Sequence, residues 1–129
     1  MRKLRVMLLP AGLVLPFFSR LLGGADRLFS YLGESPITAI IVMSLCNMIA
    51  WGPLFVFSFA FNRVGSFLIP GVSSFLYFGF RHYHLEMTSH ESAVLEIIWI
   101  PVHTLVLIVL TGGGGYFLDK KMEESKNDG

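Results

Sequence analysis

The 28 residues from 35 to 62, SPITAIIVMSLCNMIAWGPLFVFSFAFN, include no charged side chain. The hydrocarbon core of a bilayer is about 30 Å thick, and a helix that crosses it needs about 20 apolar residues. In a soluble protein such a helix would be apolar around its whole circumference, which occurs only inside a much larger core. The stretch therefore predicts a transmembrane helix over residues 37–61.

Three further stretches between charges extend this prediction. Residues 97–118 are uncharged and long enough to span, whereas residues 64–80 lie at the lower limit of spanning length. Residues 6–24 reach that length if Arg20 extends its charged end to the interface. We therefore predict an all-α integral membrane protein, a small bundle of about four transmembrane helices, several of them kinked by proline. Three spans are the alternative.

Composition supports the same class of protein. Of the 129 residues, 53% are hydrophobic and 15% are charged, with a mean hydropathy of +0.64. Charged residues normally form about a quarter of a globular chain. These values exclude a soluble domain and a disordered chain, and the single cysteine excludes a disulfide scaffold. We expect one membrane domain over residues 1–129, surrounded by the lipid bilayer and with no nucleic-acid partner.

The distribution of basic residues predicts an orientation. With four spans, seven basic residues lie on the side of the N-terminus and three lie on the other side, and the richer side is normally cytoplasmic. We therefore expect both termini in the cytoplasm, with the tail 119–129 inside and the loop 81–96 outside, in a bacterial inner membrane. Residues 6–24 could instead lie on the membrane surface or form a cleaved signal peptide.

The loop 81–96 contains three of the four histidines. If the segment is helical, His82, Glu86 and His90 recur every four residues and share one face. Two imidazoles and a carboxylate form a reasonable ligand set for zinc or another divalent metal. Imidazole also titrates near neutral pH, so the same face could sense acidity. A polar loop that binds nothing is the simpler interpretation, and we expect no other cofactor.

Polar residues inside the spans form a second candidate site. Glu96 and His103 are seven residues apart and share a face of the last helix, and an ionisable group at depth normally faces the bundle interior. A track for protons or a small cation is one interpretation, and a neutral hydrogen-bonded histidine is the other. Asn47 in the second span is expected to form an interhelical hydrogen bond.

Four consecutive glycines, Gly112, Gly113, Gly114 and Gly115, interrupt the last hydrophobic stretch. Each one costs roughly 1 kcal/mol relative to alanine in a helix. The lysine and hydroxyl residue that a phosphate-binding loop requires do not follow them. The run therefore predicts close helix packing or a hinge, and a helix of a partner protein could fill the groove that it leaves.

These features do not predict an enzyme, because the sequence has neither HExxH nor GxSxG and pairs no nucleophile with a base. The favoured hypothesis, reached by elimination, is a small multi-pass protein that binds another membrane protein, or itself. It would act as an accessory subunit, an assembly factor or an immunity-type factor. The alternative is an oligomeric channel or transporter for protons or a small cation that uses Glu96 and His103.

Overall fold

The computed structural model describes residues 1–85 and 90–129, and residues 90–93 are described by their backbone alone. About 90% of the chain is helical, and the described residues include no strand. This confirms the all-α prediction. The helices are α1 (Arg2–Leu22), α2 (Ala25–Leu32), α3 (Pro36–Phe57) with a 3-10 turn (Ser58–Ala60), α4 (Val64–His84) and α5 (His90–Asn127).

Three helices in the described part of the chain are long and apolar enough to cross a membrane. They are Arg2–Leu22, Pro36–Ala60 and Val94–Asn127, and they are compatible with an integral membrane protein. Helix α4 matches α1 in length, but its serines, glycines and terminal basic residues make it less apolar. A fourth crossing by α4 therefore stays a prediction.

The four long helices pack as a bundle in which α1 and α5 each contact both α3 and α4. The chain runs up α1, down α3, up α4 and down α5, so that the neighbours α1 and α4 are parallel. Trp51 of α3 fills the centre, with its ring centroid 4.7 Å from Phe75 and 4.8 Å from Phe78 of α4. A β-carbon at Gly12 of α1 would lie 2.6 Å from the Trp51 ring, so this position must be glycine.

The helices continue through their internal prolines. Pro10, Pro16, Pro53, Pro70 and Pro101 lie within helices, where each removes one backbone donor. Two helices also enter the predicted loop 81–96, because α4 extends to His84 and α5 begins at His90.

The basic residues collect at the two ends of the bundle. One end, named the α2 end, has Arg20 and Arg27 beside the last turn of α4. The other, named the 3-10 end, has Arg5 of α1, whose guanidinium donates to the carbonyl oxygens of Ser58 and Phe61 at 3.0 and 3.2 Å. The residues that were predicted to lie on opposite sides of the membrane therefore do lie at opposite ends of the molecule.

Candidate functional site

A buried guanidinium closes the α2 end. Arg20 is only 2% exposed, and it donates to the carbonyl oxygens of His82 and Leu85 at the end of α4. It also donates to the carbonyl oxygen of Arg27 in α2, from Nε at 3.3 Å and from Nη2 at 3.2 Å. Basic groups at a helix C-terminus satisfy its free carbonyls and complement its dipole. Arg20 thus joins three helices, a role that the sequence did not reveal.

Tyr31 and His82 lie beside this guanidinium. The Tyr31 hydroxyl and Nδ1 of His82 are 3.2 Å apart, and the Arg20 guanidinium lies 5.5 Å from the centroid of the Tyr31 ring. Burial raises the pKa of the Tyr31 phenol, although the charge on Arg20 opposes part of that rise. Which of the two groups donates depends on the tautomer of the imidazole, and Nε2 of His82 is buried without a hydrogen-bond partner among the described residues.

The predicted metal face of His82, Glu86 and His90 stays a prediction. It assumes one helix through residues 82–90, whereas α4 ends at His84 and Leu85 is extended. Glu86 and the side chain of His90 lie outside the described residues. Within residues 1–85 and 94–129, no three histidine, cysteine or acidic side chains are grouped as metal ligands would be.

Glu96 lies at the surface rather than inside the bundle. One of its carboxylate oxygens is 3.6 Å from the Arg81 guanidinium of α4. About half of the Glu96 side chain and a third of the Arg81 side chain are exposed. An exposed ion pair of this kind contributes only about 0–1 kcal/mol. The pair joins α4 to α5 at the surface, and the Glu96 carboxylate is not buried.

His103 also faces outward, which differs from the expected orientation. Its side chain is exposed and stacks on the indole of Trp99, with ring centroids 5.6 Å apart. The next residue, Thr104, takes the buried position, and its hydroxyl donates to the carbonyl oxygen of Ile100 at 2.8 Å. Because α5 turns by about 100° per residue, only one of these two neighbours can face the bundle. A single copy of the chain therefore has no track through its interior that includes His103.

Outward-facing residues of α5 form a continuous stripe along the helix. They recur at alternating intervals of four and three residues, the spacing of a helix-packing seam. We name this surface the α5 outer face. Its exposed members are Trp99, His103, Val106, Leu110, Gly113 and Phe117.

The four glycines divide between the two sides of α5. A β-carbon at Gly112 would overlap the ring of Phe57, and one at Gly115 would lie 2.7 Å from the carbonyl oxygen of Ser66. Nothing lies within 4 Å of a β-carbon at Gly113 or Gly114. Gly112 and Gly115 thus permit packing inside the bundle, whereas the other two lie on the open side.

Pro70 explains why a backbone oxygen approaches Gly115. In a helix the carbonyl of residue 66 accepts a bond from the amide of residue 70, and proline has no amide hydrogen. The freed Ser66 carbonyl oxygen instead lies against Gly115 of the neighbouring helix. A weak Cα–H···O contact at such a site is common where helices pack closely. The proline of α4 and the glycine of α5 therefore form one packing feature.

Asn47 is buried without the hydrogen bond that was expected. Both polar atoms of its amide, together with Nε1 of Trp51 one turn along α3, lack a hydrogen-bond partner among the described residues. Both side chains are fully buried. An unsatisfied buried polar group costs about 1–3 kcal/mol. Among the described residues, Asn47 therefore forms no side-chain hydrogen bond that joins two helices.

Asp119 closes the 3-10 end. One of its carboxylate oxygens accepts a bond from the backbone amide of Asn62 at 3.0 Å, and the Arg63 guanidinium donates to the Met122 carbonyl oxygen at 3.1 Å. Asp119 is 1% exposed although it begins the predicted polar tail. The sequence marked it as the end of a span, but did not indicate that it anchors the loop before α4.

No family model, no curated protein and no solved structure matches this chain. A function must therefore be argued from the arrangement of the residues.

Proposed function

We propose that this protein is a small multi-pass membrane protein that binds a transmembrane helix of another membrane protein, as an accessory subunit, an assembly factor or an immunity-type factor. The binding surface is the α5 outer face. The observation that carries the proposal is the position of His103, which is exposed within the apolar part of α5 and contacts Trp99.

The chemistry of His103 supports a protein partner. A polar side chain at membrane depth is costly when it faces lipid, so such residues normally face another helix. A neighbouring helix would supply a hydroxyl, carbonyl or amide to the imidazole and would cover Trp99. The open positions Gly113 and Gly114 permit the close backbone approach that favours helix association in lipid.

The length of the surface supports a helical partner. Trp99 and Phe117 are 18 residues apart, which corresponds to about 27 Å along the helix axis. This is close to the hydrocarbon thickness of about 30 Å, so a partner helix can follow α5 through both leaflets. The alternating spacing of three and four residues is that of helices that cross at about +20°.

The proposed membrane is the bacterial inner membrane, with both termini in the cytoplasm. The 3-10 end has seven basic residues and the α2 end has three, a difference that supports a cytoplasmic 3-10 end under the positive-inside rule. This orientation assumes that α4 crosses beside α1. The seven are Arg2, Lys3, Arg5, Arg63, Lys120, Lys121 and Lys126, and the three are Arg20, Arg27 and Arg81.

Photocrosslinking in native membranes tests the proposal. The photoreactive amino acid p-benzoylphenylalanine lies at the centre of the α5 outer face when it replaces Val106, and on the exposed side of α1 when it replaces Val14 as the matched control. The excited benzophenone inserts into C–H bonds of a neighbouring chain, so irradiation should give an adduct to a second protein from position 106 alone. The further change Gly113→Leu should remove that adduct because it fills the face. Equal adducts from both positions, or none from position 106, would contradict the proposal.

An oligomeric channel or transporter for protons or a small cation is the second candidate. Its support is that Glu96 and His103 both face outward on α5, so that several copies could bring them around one axis. Val106, Leu110 and Phe117 continue the same face with apolar side chains, which weighs against a wet pore. An adduct of twice the chain mass from position 106, with ion flux in proteoliposomes that His103→Ala and Glu96→Gln abolish, would favour this candidate.

A further inference from the structure

An apolar groove runs between the first halves of α1 and α4. It encloses about 360 Å³, within the range of ligand pockets in proteins. Every side chain that lines it is apolar, and Phe67 and Phe75 form part of its wall. Its rims are formed by Leu4, Met7 and Ala11 on α1 and by Leu68, Val72 and Leu76 on α4.

The groove closes toward the middle of the bundle. Where α1 reaches Leu15 and Ser19, a β-carbon at Gly79 of α4 would lie 3.5 and 3.3 Å from their side chains, so the two helices are in contact there. The open part extends over about 10 Å of α1, from Leu4 to Ala11. One leaflet contributes about 15 Å of hydrocarbon. The groove is therefore a wedge that opens at the 3-10 end and stops within one leaflet.

We propose that this groove holds one acyl chain of an anionic phospholipid from the leaflet at the 3-10 end. The occupant must be narrow and apolar, and it must end near the middle of the membrane. An acyl chain has these three properties. A helix that spans the membrane needs a surface through both leaflets, and the contact at Gly79 blocks the second half. The proposal is independent of the α5 outer face, since the residues that line the groove are on α1 and α4.

Charge at the open end of the groove favours an anionic head group. Lys3 lies one turn before Met7 on the same side of α1 and is exposed. The acidic side chain Asp119 of α5 lies at the start of α4, where it accepts a bond from the Asn62 amide, so the free basic charge at this end of the groove is on the α1 side.

Trp51 provides a reporter of the occupant. Its indole is fully buried, and its ring centroid lies 4.7 Å from that of Phe75, which lines the groove. Bromine atoms in the middle of an acyl chain quench indole fluorescence at short range, so a chain in the groove should quench Trp51. The full chain with Trp99→Phe, in bilayers of brominated phosphatidylglycerol or brominated phosphatidylcholine, leaves Trp51 as the only indole.

Two substitutions separate the acyl chain from the head group. Gly71→Leu fills the groove and has room, because a β-carbon there would meet nothing closer than Phe67 at 3.7 Å. It should remove most of the quenching while helical circular dichroism is kept. Lys3→Gln should lower the preference for phosphatidylglycerol over phosphatidylcholine about fivefold. The control Lys121→Gln, at the same end but on α5, should leave that preference unchanged.

Three results would overturn the proposal. The first is a Trp51 signal that brominated lipid does not quench, which would mean that a protein segment or a second copy fills the groove. The second is quenching that Gly71→Leu leaves intact. The third is equal quenching by brominated phosphatidylglycerol and brominated phosphatidylcholine in the protein that retains Lys3. That result would mean that the groove does not select an anionic head group.

Discussion

The indole of Trp99 lies against the imidazole of His103 on the outer surface of α5, with the two ring planes inclined by 26°. Both residues are exposed, although they lie within the apolar part of the helix. The partners that we propose for both side chains are outside this copy of the chain. They are expected to matter for association and very little for folding.

The variant His103→Leu tests this separation. Its free energy of unfolding in mixed micelles should stay within about 0.5 kcal/mol of the parent, as for other surface substitutions. The matched control Ile100→Ala truncates a fully buried side chain on the bundle-facing side of α5 and should cost about 2–5 kcal/mol. The reading of His103 as an outward residue fails if both variants lose the same stability in titrations with sodium dodecyl sulfate.

The four glycines of α5 give a second prediction, in which alanine substitutions raise the free energy of unfolding at two positions and lower it at the other two. Gly113→Ala and Gly114→Ala should raise the free energy of unfolding by up to about 1 kcal/mol each, because alanine favours a helix and both positions are open. Gly112→Ala and Gly115→Ala should lower it by about 1–3 kcal/mol through overlap with Phe57 and with the Ser66 carbonyl. Thermal unfolding in detergent compares the four variants, and a common sign for all of them is the result that contradicts this packing.

The buried guanidinium gives a third prediction. Arg20→Met should lower the free energy of unfolding by about 3 kcal/mol, because it removes charge-assisted hydrogen bonds to buried carbonyl groups. Arg2→Gln, an exposed change on the same helix, is the control and should have almost no effect. Chemical unfolding followed by circular dichroism measures both. Equal stability of the two variants would mean that Arg20 does not hold α1, α2 and α4 together.

Asn47 gives a prediction in the stabilising direction. Asn47→Leu should raise the free energy of unfolding by about 1 kcal/mol, because it removes an amide that has no partner. The same change at Asn62, whose side-chain amide donates to Glu123, should lower it. The two asparagines can be compared in one unfolding series. A loss of stability in Asn47→Leu would instead indicate a hydrogen bond to a buried water molecule.

Much of the fold follows from the positions of the charges. The uncharged stretches predicted the all-α class and located the long helices, because an uninterrupted apolar run has few other stable conformations in a membrane. Their ends were less predictable. Arg2, Lys3 and Arg5 form the first turns of α1, and α5 continues through the polar tail to Asn127, since a helix that has already formed extends at little cost.

The candidate site was less predictable because burial depends on helix rotation. His103 and Thr104 are adjacent, and the sequence does not indicate which of them faces the bundle when apolar residues surround both. Hydropathy also cannot locate the α4 partners of Arg20, which are backbone carbonyl groups more than 60 residues away. A signal was present only for Gly112 and Gly115, whose role requires the absence of a side chain.

The distance along the chain between Arg20 and its α4 partners has a consequence for biosynthesis. The carbonyl groups of His82 and Leu85 follow Arg20 by 62 and 65 residues. At about 5–20 residues per second, a ribosome needs roughly 3–13 s to make that length of chain. During this interval the guanidinium can use only nearby acceptors, among them the Arg27 carbonyl oxygen and the Ser30 hydroxyl. Helix α1 can therefore form its final contacts with α4 only after most of the protein has left the ribosome.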